Sequence, residues 1–138
     1  MNKQKLIFWI VWVSLLNAVF MYYYFFTQPS KEWSGDNDVA IISSLISLFA
    51  ALFVRYVGIQ RKIRLKSFNP NEVADLLSIL PLAVITWALM EAISFYALFF
   101  SGTEFAQDVL WTLSVIGLLI TNPYPFLKER TKLAFVNQ

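Results

Sequence analysis

The sequence predicts an all-α integral membrane protein: a four-helix transmembrane bundle made of two related helical hairpins, with both termini on the cytoplasmic side. Three observations carry that expectation. Of 138 residues, 58% are hydrophobic and 14% are charged, against about 45–50% and about 25% in soluble globular chains. The apolar residues gather into four long runs separated by polar segments. Basic and acidic residues segregate into alternate loops, the pattern that orients a multi-pass chain.

The first predicted helix covers residues 6–26, and a crossing of a roughly 30 Å hydrocarbon core needs about 20 apolar residues. Lys3 and Lys5 precede it in the manner of a secretory leader. The run is longer than the about 7–15 residues of a cleavable core and has no small-residue cleavage site before Gln28, so it is expected to stay as a first span. The second helix, 39–59, reaches full length only if Arg55 snorkels from its last turn. The third, 70–100, has Asn69 as N-cap, Pro70 at the first helical position, Glu72 closing a capping box, and Phe68 and Val73 as a hydrophobic staple. At 1.5 Å per residue it is about 46 Å long, so it begins outside the hydrocarbon or tilts, and Pro81 should kink it near the interface. The fourth, 105–121, follows the turn Ser101-Gly102-Thr103 and carries Asp108 in its first turns. Asn122-Pro123-Tyr124-Pro125 then ends regular structure, ahead of a short amphipathic or frayed tail.

Of the 11 basic residues, all but Lys31 fall in the N-terminal segment (Lys3, Lys5), the middle loop (Arg55, Arg61, Lys62, Arg64, Lys66) or the tail (Lys128, Arg130, Lys132). The opposite loops carry Glu32, Asp36, Asp38, Glu104 and Asp108. Basic loops stay inside, so the expected location is the cytoplasmic membrane. Tyr22, Tyr23, Tyr24, Trp33 and Tyr56 are read as interfacial anchors. Arg55, Arg61, Lys62, Arg64 and Lys66 also suit anionic lipid headgroups.

The two halves align with each other. NAVFMYYYFFT from Asn17 lies over EAISFYALFFS from Glu91, and DVAIISSLISL from Asp38 lies over DVLWTLSVIGL from Asp108. Both copies enter from one side, so the repeat is of the parallel kind.

Glu91 is the polar residue that most needs a role, because a charge at the middle of a span costs about 2.5–3.5 kcal/mol and such residues are functional candidates by default. Asn17 occupies the equivalent place in helix one. The expectation is a neutral Glu91 carboxyl bonded to Asn17 or to a serine of helix two. Ser43, Ser47 and Ala50 on helix two, with Ala88 and Ser94 beside Glu91, form small-residue surfaces for close helix contact. The chain has no Cys and no His, so neither thiolate chemistry nor His-based catalysis or metal ligation enters, and no metal or other cofactor is expected. A net charge of +2 does not argue for nucleic acid.

Residues Trp87 to Phe100, WALMEAISFYALFF, resemble the ion-carrying helix of the rotary ATPase proteolipid, the c subunit. There a membrane-embedded Glu is followed by Ala, an aliphatic residue and, a turn on, Tyr and Leu. The resemblance implies that Glu91 would be a proton or Na⁺ site and that helices two and three correspond to the family's hairpin. The four-helix, vacuolar-type proteolipid is the nearest match in size. The likeness is confined to that helix. The residues as a whole are read as a small, non-enzymatic, multi-pass protein in the lipid bilayer. It would be a structural or accessory subunit that packs as a homo-oligomer or in a larger membrane complex, with ion carrying by Glu91 as the alternative.

Overall fold

In a computed structural model, which describes residues 3–27, 35–64, 68–69 and 71–127, the long apolar runs are helical. Helix α1 is Lys3–Phe26, a 24-residue segment free of Gly and Pro. Helix α2 is Asn37–Arg64, 28 residues. Asp36 caps it by accepting the Asp38 N–H at 2.9 Å, the usual service of an Asp at that position. From Val54 to Ile59 the helix widens into a π turn, and it continues to Arg64 rather than ending at 59.

Helix α3 is Val73–Phe100, 28 residues with Pro81 inside it. Its start differs from expectation. Asn69 accepts the Asn71 N–H at 2.9 Å in a local turn, and the Asn69 N–H donates to the Asp75 carboxylate at 2.8 Å. Glu72 is the N-cap, without a side-chain cap bond. The short side chain of Asn69 has closed a turn two residues on instead of reaching a helix, and Pro70 lies outside the described residues. Helix α4 is Glu104–Ile120, with Thr103 as N-cap accepting the Ala106 N–H. A single further turn, α5, spans Tyr124–Leu127. The predicted tail beyond it lies outside the described residues.

α1, α2 and α3 are each long and apolar enough to cross a membrane. α4 has 17 residues, a rise of about 26 Å. α3 is the hub and packs against α1, α2 and α4. It contributes Leu76, Ile79, Ala83, Trp87, Met90 and Ile93 to the buried core. α1 and α3 run side by side in the same sense. Lys5 bonds Asn71 at one end, and Phe26 meets Phe99 with ring centroids 4.9 Å apart at the other.

The small-residue stripe of α2 that is fully buried is Ala40, Ser44, Ser47 and Ala51. Ser47 thus belongs to the buried stripe, while Ser43 and Ala50 lie half-buried beside it. On α3, Ser94 is buried but Ala88 is exposed. Ala88 stands about 200° around the helix from the buried Met90, so it faces away from the other helices. The outer face of α2 carries Ile42, Ile46, Phe49 and Phe53, each more than half exposed.

At the end where α1 finishes, two glycines let the connections touch. A Cβ on Gly102 would stand 2.6 Å from the Gly35 carbonyl oxygen. Asn37 straps the same place, accepting the Gly102 N–H at 2.7 Å and donating to Thr103 Oγ1 at 3.3 Å.

Candidate functional site

Glu91 lies on α3 about 14 Å of helix rise from Phe100 and is half-buried. Its partner is Tyr22 of α1, whose hydroxyl donates to Oε1 at 3.3 Å. The Tyr22 ring is held against Phe95, one turn beyond Glu91, with centroids 4.8 Å apart. Ser94 turns its hydroxyl back to the Glu91 main-chain carbonyl at 2.6 Å. Asn17 is not brought to Glu91. It is exposed, because five residues separate it from Tyr22, a rotation of about 140° on a helix. A sequence alignment matches depth along two helices but not the azimuth that decides contact.

The next tyrosine serves a second carboxylate. Tyr23 donates to Asp108 Oδ1 of α4 at 2.8 Å, and buried Gln107 reaches the same oxygen at 3.5 Å. The Tyr23 ring packs on Trp111 with centroids 4.5 Å apart, and the Trp111 indole donates to the Val19 carbonyl at 3.1 Å. Neighbouring residues on a helix point about 100° apart, so one turn of α1 addresses α3 with Tyr22 and α4 with Tyr23. A tyrosine hydroxyl can donate to a carboxyl oxygen in either protonation state, and each pair joins two helices. Both hydroxyls are thus turned to carboxyl groups of neighbouring helices, whereas Tyr24 is exposed. Trp33 lies outside the described residues. The sequence offers these tyrosines and Asp108 but not their pairing; a usable signal was a run of aromatic hydroxyls opposite an acid in the first turns of an apolar helix.

The opposite end of α4 has a different construction. The last carbonyls of a helix lack intrahelical donors, and here one carbonyl of the last turn and two just past the helix each take a donor from another helix. Trp12 of α1 donates to Leu118 O at 2.8 Å, Trp87 of α3 to Thr121 O at 2.7 Å, and Arg55 of α2 to Asn122 O at 3.2 Å. Arg55 is 3% exposed. It does not snorkel to headgroups: the π turn aims it inward, where its charge also suits the negative end of the α4 dipole.

The remaining basic side chains divide. Lys62 donates to the Ser78 carbonyl at 3.1 Å, in the stretch of backbone ladder that Pro81 interrupts. Arg61 and Arg64 are exposed. Lys66 lies outside the described residues. Among the described residues, no group of 3 or more Asp or Glu side chains is arranged to hold a metal. No protein family, curated protein or solved structure matches the chain.

Proposed function

We propose that the chain is a four-helix integral protein of the cytoplasmic membrane, with both termini inside and two hairpins in parallel arrangement. Its role is structural: a non-enzymatic accessory subunit that packs with copies of itself or in a larger membrane assembly. The observation that carries this reading is the internal use of the polar groups inside the apolar layer. Tyr22 bonds Glu91 and Tyr23 bonds Asp108, tying α1 to α3 and to α4. Groups so engaged work as glue between helices. The exposed apolar face of α2 is what a bilayer covers.

A second reading, proton or Na⁺ carrying by Glu91, is favoured by its half exposure next to exposed Ala88 on the open side of α3. One variant pair separates the two. On the structural reading Glu91→Gln, which still accepts from Tyr22, leaves folded yield and detergent melting temperature nearly unchanged, and Glu91→Leu lowers both. Selective modification of Glu91 by a hydrophobic carbodiimide, slowed by Na⁺ or by raised pH, would defeat the structural reading and support the carrier.

A further inference from the structure

We propose that the cavity at the end of α2 lined by Tyr56, Val57, Arg61 and Arg64 binds the phosphate of an anionic phospholipid. The proposal rests on the membrane reading above and assigns that reading a lipid site. It is an open groove of about 470 Å³ along the side of α2, a shape that suits a headgroup held from one side with its chains left in the bilayer.

Its walls combine two chemistries. Arg61 and Arg64 are three residues apart, hence on one side of a helix, and guanidinium forks match phosphate oxygens in pairs. Both side chains are exposed, and among the described residues neither is hydrogen-bonded or ion-paired within the chain. The other described cations of this helix are committed elsewhere, Arg55 to the Asn122 carbonyl and Lys62 to that of Ser78. The site is therefore two specific arginines and not a diffuse basic run.

The apolar wall distinguishes a lipid from a free phosphate ester. Val57 lines the cavity, and Phe53 and Phe49, both exposed, continue along α2 towards the middle of the apolar span. A diacyl lipid placing its phosphate between the arginines has a surface for its chains. Tyr56, half exposed at the cavity wall, sits where the chains meet the headgroup, a depth that suits its amphipathic ring.

The test is native mass spectrometry of the full chain in detergent, with phosphatidylglycerol, phosphatidylcholine and glycerol 3-phosphate as probes. The unaltered chain should retain one phosphatidylglycerol in preference to phosphatidylcholine. The Arg61→Gln/Arg64→Gln double variant should weaken that retention by roughly tenfold or more, with Lys62→Gln close to the unaltered chain. Equal retention of the two lipids, an unchanged double variant, or an equal loss in Lys62→Gln would overturn the proposal. Displacement of phosphatidylglycerol by an equal concentration of glycerol 3-phosphate would reassign the cavity to a soluble phosphate ester. An Arg61→Lys/Arg64→Lys variant guards against misfolding, since it keeps the charge and should recover part of the retention. Alkaline carbonate extraction separates the two levels of failure. Release of the unaltered chain from membranes defeats the membrane reading, whereas resistant chain without lipid preference defeats the cavity alone.

Discussion

Trp87 is the side chain through which the core and the polar framework are joined. It is completely buried, stands edge-on to Phe8 with centroids 6.4 Å apart, and donates to Thr121 O. Trp87→Phe keeps much of the packing but strips the donor from a buried carbonyl, a loss of about 1–3 kcal/mol. A clear fall in detergent melting temperature is expected; a variant as stable as the parent would show that the indole bond is dispensable. None of this was visible in the residues alone, since an indole has one donor and only tertiary position selects its acceptor. Glu91 was visible, because one carboxyl in an apolar run stands out whatever the fold. Its partner was not. Asn17 and the tyrosines all offered donors on helix one, and only the rotation of α1 against α3 separates them.

Helix existence was the most readable property, since about 20 apolar residues in a row leave few alternatives. Local departures from regularity were not readable. The π turn at Val54–Ile59 has no sequence signature here, yet it turns Arg55 inward. The start of α3 went astray because Asn69 suits a turn as well as it suits a helix cap. Glycines can be ranked by what surrounds them. A Cβ at Gly58 would meet only the flexible end of Leu82 at 3.6 Å, so Gly58→Ala should be neutral or should stabilise by up to about 1 kcal/mol. A Cβ at Gly102 meets Gly35 backbone, which cannot swing aside, so Gly102→Ala should lower stability. Parallel melting curves of the two variants check both signs, and a Gly102→Ala protein at least as stable as Gly58→Ala would contradict the tight crossing.

For the molecule as a whole, the separation of charge is the property that sets direction in a bilayer. The chain has no cysteine, so single reporters can be placed in the natural background. Asp38 and Glu72 are both exposed, near opposite ends of the bundle. In intact cells a membrane-impermeant maleimide should label Asp38→Cys and should reach Glu72→Cys only after permeabilisation; the reverse pattern would invert the proposed orientation. The way α4 is held also bears on the order in which such a bundle forms. α1, α2 and α3 each have the length to cross as independent helices, and α4, the shortest of the four, follows them along the chain. Leu118 in its last turn, and Thr121 and Asn122 just past it, accept from Trp12, Trp87 and Arg55, one donor from each earlier helix. On the proposed membrane reading, until all three helices stand in register these carbonyls lack the donors that hydrocarbon cannot supply. On that reading the three contacts from neighbouring helices can all be made only after α1, α2 and α3 have packed together.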